Sequence, residues 1–360
     1  MRRTPLFNAH VTDGARMVDF AGWQMPVQYG SILDEVRAVR SGVGVFDVSH
    51  MGQVRVSGAG ALGAIQRLLT NDASKLAPGR AQYSLMCDDG GGILDDLIVY
   101  RRDGGAGAPD FLIVVNASNR ETDFDWMSAR GSGPDAVFDD VSDDYALIAV
   151  QGPMAEATLA PSLTGCDLAK LPAFSHAAAV FGSAPVHVAR TGYTGEDGFE
   201  IFSAPTAAET IWRTLRDSGV VPCGLGARDV LRIEASYSLY GHEINRETNP
   251  YEAGLGWVVK PSKGDFIGRE PIVAAKAAGL TRRLTGILPD DVRAIPRQGT
   301  VVTTAAGAGI VTSGTMSTTL DRAIGIAYLP KDAEGDVTLA MRGRELPARI
   351  VDLPFYKRCR

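Results

Sequence analysis

Two carboxylates stand side by side at Asp95 and Asp96, just after the three glycines of CDDGGGILDDLIVY (87–100). Adjacent acids invite a reading as an acid–base pair. The run from Ile93 alternates as a strand, however, and neighbours on a strand point to opposite faces. Only one of the two can therefore face a given pocket. Asp96 shares its side with Leu94, Ile98 and Tyr100, apolar company in which a carboxylate is costly unless it is paired or functional. A solvated acid beside the turn, or one capping a neighbouring helix, fits the same spelling. Gly90 to Gly92 supply the tight turn that feeds the strand.

A second acidic segment is ARTGYTGEDGFEI (189–201). It has no P-loop lysine, and Glu196 and Asp197 would repel phosphate, so it is not a phosphate cradle. A carboxylate in such a loop suits a cationic or donor-rich ligand, such as the guanidine-like edge of a pterin, from which it can accept two parallel hydrogen bonds. A solvated acidic hairpin is equally compatible with the spacing. In the third segment, GLGARDVLRIEASYSLYGHEINRETNPYEAGLGWVVK (224–260), Arg228 offers the rigid fork that clamps carboxylates. An ion pair with Asp229 or Glu234 is the commoner alternative. His242 follows Gly241 in a turn and has no identifiable partner as a base, and Trp257 reads as core or pocket wall. No Ser/His/Asp or Cys/His arrangement emerges. Chemistry on a bound cofactor is expected, with the protein supplying position and charge.

The elements that position these residues follow from periodicity. GQVRVSG (52–58), ILDDLIVYRR (93–102) and DFLIVVN (110–116) alternate as strands. ALGAIQRLL (61–69) and SNRETDFDWMSAR (118–130) have helical spacing, the latter with Ser118 as N-cap and Glu121 three residues on. Together they predict a small α/β unit near 52–139. A second series follows: a strand at YALIAVQGP (145–153), a helix from Met154, a strand near VHVARTGYTG (186–195) and a helix over 205–219. A further helix is predicted over 224–237, where Leu225, Val230, Leu231 and Ile233 share a buried side and Arg228 and Arg232 stand together. After a linker and helix at 257–280, short β-rich runs from Thr281 predict an antiparallel barrel or sandwich.

The 360 residues exceed one ordinary core, so two or three domains are expected. The net charge of −6 argues against nucleic-acid or anionic-membrane partners. The four scattered cysteines suit a reducing compartment, and neither they nor the five histidines form a readable metal site. With no secretory leader and no membrane-length apolar run, a cytoplasmic location is expected.

Taken together, these strings resemble the glycine cleavage T-protein family. The resemblance runs from TPLF (4–7) through MVDFAGWQMPVQY (17–29), VGVFDVSHMG (43–52), GGGILDDLIVY and ARTGYTGEDGFE to TNPYEAGLGWVVK (248–260), then into VTSGTMSTTL (311–320) and LPFYKR (353–358). It implies an α+β, multi-domain, folate-binding aminomethyltransferase fold around a central pocket. The implied domains are a discontinuous folate-binding domain at 1–51 and 140–265, an inserted ferredoxin-like α/β domain at 52–139, and a C-terminal antiparallel β-barrel at 280–360.

The implied reaction moves the aminomethyl carbon from the dihydrolipoyl arm of a lipoylated H protein to tetrahydrofolate, releasing ammonia. Asp96 matches the family's catalytic acid, expected to stabilise developing positive charge and to orient the attacking N5. Glu196 matches the pterin contact. Arg228 and Tyr356 match further folate contacts, and Met51, Tyr83, Asn116 and Tyr237 fall in strings that imply pocket walls. The family commonly has a proline in the segment that here reads GTMSTTLDRA (314–323), and many relatives have an aromatic within LPAFSHAAAV (171–180), where only Phe174 is available. A folate-dependent demethylase of a small methylated substrate is the alternative on the same scaffold. The non-enzymatic folate proteins that support iron–sulfur assembly carry a Lys-Gly-Cys-Tyr string, and no cysteine here has that context.

Overall fold

The computed structural model describes residues 1–104, 109–131, 133 and 135–358, so Cys359 lies outside the described residues. The chain divides into two compact units, Met1–Ser84 with Asp96–Arg228, and Leu85–Asp95 with Asp229–Arg360. One division point falls inside the strand Ile93–Asp103, between the paired acids.

The first unit is built on a seven-stranded sheet in the order Leu163–Thr164, His176–Phe181, Ala184–Ala189, Gly198–Ser203, Ala146–Gln151, Gly44–Asp47, Val221–Pro222. All its pairs are antiparallel except the last, where Val221 sits beside Gly44 in parallel register. The helix Ala208–Asp217 covers one face because Ala208, Ile211, Trp212 and Leu215 recur at helical spacing and are all buried. They pack with Ile148, Val150, Val188, Phe199 and Ile201 from the sheet. A five-stranded sheet has the order Arg80–Cys87, Ile93–Asp103, Pro109–Val115, Gly52–Ser57, Val137–Asp140, with the helices Ala61–Leu68 and Arg120–Gly131 in its connections. The second helix begins one residue later than a Ser118 cap requires. The Ser118 hydroxyl bonds the Asn119 side chain instead, so the predicted capping box is not formed.

The predicted helix from Met154 is a five-residue turn, Ala155–Leu159, that tightens into a 3-10 segment at Pro161, which cannot continue the ladder. The strand predicted near 186–195 ends at Ala189, and the glycine-rich stretch after it is a loop.

The second unit carries a closed six-stranded antiparallel barrel, in the order Arg282–Pro289, Arg322–Pro330, Gly307–Ser317, Val301–Thr304, Asp336–Met341, Arg344–Val351. The last strand pairs back onto the first, from Gly286 opposite Val351 to Pro289 opposite Ala348. Ile287, Val302, Val311, Ala327, Leu329, Val337 and Leu339 fill the interior. The strand Arg322–Pro330 is buried on both sides, because its outward Ile324 and Ile326 pack on Ile233.

The helix Leu225–Glu234 spans another of the three division points, between Arg228 and Asp229. Its end anchors a barrel turn: Glu234, fully buried, accepts from Ser317 Oγ and Thr319 Oγ1 and from the Thr319 backbone N–H. A proline at 319 would lack that last donor. Within the same unit, Asp88 ties the glycine turn together by accepting from Gly90 N and Gly92 N. Gly91 has φ +84°, and a Cβ on Gly92 would sit 1.9 Å from the Arg246 carbonyl.

Candidate active site

The two adjacent acids behave as strand alternation requires. Asp95 is fully buried and Asp96 is half-buried. Ile98 pairs with Val114 across the sheet, and continuing that register sets Asp96 opposite Asn116. Asn116 Nδ2 donates to Asp96 Oδ1 at 2.9 Å and to the Asp96 carbonyl at 3.2 Å. From the neighbouring strand, the Tyr83 hydroxyl donates to Oδ2 at 3.0 Å. Both carboxylate oxygens are thus held by side chains of the first unit, and three of the eight predicted site residues meet in one arrangement. A carboxylate with both oxygens fixed is a preorganised negative charge.

The glycine-rich loop is organised around Gln151. Its Nε2 donates to the Thr191 carbonyl at 3.1 Å, and its Oε1 accepts from Thr194 Oγ1 at 2.9 Å. Gly192 is required there, since a Cβ would lie 2.0 Å from Gln151 Oε1. Each acid of the loop has its own arginine. Arg40 Nη1 donates to Glu196 Oε1 at 2.8 Å and to the Thr194 carbonyl at 2.7 Å. Arg190 pairs with Asp197 and Glu156. The Glu196 side chain is only 5% exposed, and among the described residues its Oε2 accepts no hydrogen bond. A solvated hairpin is excluded by that burial.

Arg228 makes neither of the ion pairs open to it in sequence. Asp229 is taken by Arg232 at 2.9 Å, and Glu234 by the barrel turn. Among the described residues, the Arg228 guanidinium donates no hydrogen bond; it lies 4.6 Å from the centre of the Tyr193 ring. Burial pulls its pKa down, while Tyr193 and Glu200 oppose that shift. Arg232 is no second clamp beside it: the group is buried and bonds Asp229, Glu243 and Ser313.

The segment holding Met51 is fixed by a buried network. Asp47 accepts from Thr4 at 2.6 Å and from Ser49 N at 2.9 Å, and pairs with His10 at 2.8 Å. Burial alone would raise the Asp47 pKa, but His10, Ser49 and Thr4 together bring it down to about 2. Met51 is half-buried.

Tyr237 and Tyr356 belong to the second unit. Tyr237 is 41% exposed, and its amide bonds the Arg232 carbonyl; the Tyr356 amide bonds the Glu234 carbonyl at 2.8 Å. His242 faces the Thr312 carbonyl at 3.1 Å. Trp257, expected as core or pocket wall, is 59% exposed, because it sits on a single 3-10 turn, Gly256–Val258, with only Val258 buried. Phe174 is 42% exposed, at φ 55°. Arg40 and Tyr193 escaped the sequence reading, since nothing local links Arg40 to an acid 156 positions away. A cavity of about 560 Å³ elsewhere in the first unit, lined by Arg55, Arg102, His176 and His187 among others, contains none of the predicted residues.

The described residues form a mixed α/β protein ending in a closed barrel, with a carboxylate held at both oxygens on its five-stranded sheet. Residues 6–263 match the GCVT N-terminal domain, and residues 282–357 match the glycine cleavage T-protein C-terminal barrel domain. The chain is similar to the aminomethyltransferase of Synechococcus elongatus, with 47% identity covering 98% of this chain and 96% of that protein. It is also 47% identical to the aminomethyltransferase of Geobacillus thermodenitrificans, with full coverage of both. The crystal structure of glycine cleavage system aminomethyltransferase T from Bartonella henselae superposes with a TM-score of 0.91 at 33% identity, over 99% of this chain and 98% of that one. The chain belongs to the glycine cleavage T-protein family of aminomethyltransferases. Among the described residues, no helix is long and apolar enough to cross a membrane.

Proposed function

We propose that this enzyme transfers the aminomethyl carbon carried on the dihydrolipoyl arm of a lipoylated H protein to tetrahydrofolate, with release of ammonia, and that Asp96 is its catalytic residue. The observation that carries this reading is the Asp96 carboxylate, held at both oxygens by Tyr83 and Asn116 yet half-open. Bound tetrahydrofolate supplies the nucleophilic nitrogen that accepts the carbon. Asp96 places a fixed negative charge beside positive charge developing at that carbon. Tyr83 and Asn116 keep the charge from rotating away.

The residues present fit a folate. Glu196 Oε2 is free of protein donors among the described residues, and it suits the donor edge of a pterin. The Arg228 guanidinium rests on the Tyr193 ring with no hydrogen bond to a described residue, and it suits the anionic tail. Met51, Tyr237 and Tyr356 are proposed as further contacts. The same reading divides the chain into a folate-binding domain at 1–51 and 140–265, an inserted domain at 52–139 and the barrel domain at 280–360. A cytoplasmic location goes with it.

The test is to mix the protein with aminomethylated H protein and tetrahydrofolate and to measure ammonia and methylenetetrahydrofolate. Stoichiometric appearance of both is expected. Folate binding without turnover would overturn the assignment and favour a demethylase of a small methylated substrate.

A further inference from the structure

Of the five histidines, His10, His176, His187 and His242 each have a hydrogen-bond partner for the ring. His50 has none among the described residues, although it is only 2% exposed. Its Nδ1 is sealed from solvent without a partner. A buried polar group without a partner is destabilising and uncommon in a native interior.

The ring is well positioned despite lacking bonds. The Phe20 ring meets it edge-on at 5.6 Å, and the turn that carries it is pinned by Ser49 N on Asp47 and Met51 N on Val48. A sealed Nδ1 without an acceptor disfavours a proton there, because an orphaned N–H is worse tolerated than an orphaned acceptor. The favoured tautomer thus carries its single proton on Nε2, the ring nitrogen that is not sealed. The Arg228 guanidinium, which also donates no hydrogen bond among the described residues, opposes a positive charge on His50. The first unit thus holds two side-chain donors, His50 and Arg228, that hydrogen-bond no other described residue.

We propose that His50 is a ligand-positioning residue whose Nε2–H donates to an acceptor atom of the bound folate on the side served by Arg228. This rests on the folate reading above and adds a residue to it. His50 holds the ligand and does not touch the reacting atoms.

The experiment compares His50→Gln, whose amide nitrogen reproduces the reach of Nε2, with His50→Asn, which reproduces Nδ1, and with His50→Leu. Tetrahydrofolate affinity is measured anaerobically by titration calorimetry, alongside kcat and KM with aminomethylated H protein. The Leu and Asn variants are expected to bind about tenfold more weakly, the loss of roughly one hydrogen bond, and the Gln variant to stay near wild type. KM for tetrahydrofolate should follow affinity, while kcat at saturation and KM for the H protein stay put. A merely structural histidine would not be rescued by Gln over Asn. Equal binding by all variants, or rescue by Asn, overturns the proposal. If His50→Leu does not fold, the Gln–Asn comparison decides alone. Failure of the wild type to bind tetrahydrofolate would instead sink the functional reading and this inference with it.

Discussion

Replacing Asp96 by asparagine removes one negative charge and almost no shape. Both oxygens accept hydrogen bonds, at 3.0 Å from Tyr83 and 2.9 Å from Asn116. Hydrogen bonds to a charged group contribute about 1.5–3 kcal/mol each, and neutral ones about 1 kcal/mol. The asparagine keeps an acceptor oxygen for Asn116 and turns its NH₂ toward the Tyr83 hydroxyl, which can accept it. Both contacts survive at neutral strength, so stability should fall by about 1–4 kcal/mol rather than by the full value of both bonds. The charge has no substitute. A preorganised group facing developing charge accounts for roughly 10²–10³ in kcat, or about 2.7–4 kcal/mol.

The assay is ammonia release from aminomethylated H protein at saturating tetrahydrofolate, with folate affinity and thermal unfolding measured on the same samples. The expected result is a loss of kcat of at least about a hundredfold with affinity changed only a few-fold. Asp95→Asn is the control, because that side chain is fully buried on the opposite face. It should lower stability and leave the kcat of folded protein near wild type. Wild-type kcat in folded Asp96→Asn, or the larger kinetic loss in Asp95→Asn, would refute the reasoning.

Glu196→Gln should weaken tetrahydrofolate binding about tenfold while its remaining oxygen keeps Arg40 in place; unchanged affinity removes Glu196 from the site. Gly92→Ala should unfold the protein at lower denaturant concentration, since its Cβ would meet the Arg246 carbonyl at 1.9 Å, and an unshifted midpoint contradicts that close approach. Burial holds the His50 pKa down from 6.5 to about 4, opposed by Asp47 and reinforced by Arg228. The unfolded chain then binds the extra proton first. The contribution of neutral His50 is intact above pH 6.5 and is lost as pH falls toward about 4, a change on the order of 3 kcal/mol. Urea unfolding of wild type and His50→Gln across that range measures it, and parallel pH profiles count against the assignment.

Much of this was readable because periodicity is local. Alternation over 93–102 separates Asp95 from Asp96, and helical spacing locates Ala208–Asp217. Capping and exposure were harder to read. Ser118 has the right spelling for a cap, but the helix begins at Arg120, and Trp257 looks apolar enough for a core yet lies on a single exposed turn. The ion pair between Arg40 and Glu196 joins residues 156 apart, and no short-range pattern encodes it. Arg228 illustrates the opposite case: sequence offered it two acidic neighbours, and both are taken by other partners.

The closing pair of the barrel joins Arg282–Pro289 to Arg344–Val351. During synthesis the first of these strands leaves the ribosome well before its neighbour exists. Until translation reaches Val351, the nascent sheet keeps two open edges, the exposed state that recruits other chains. A premature stop between residues 331 and 343 would make that transient state permanent, so nonsense or frameshift products there should be cleared or aggregate even with the whole first unit translated.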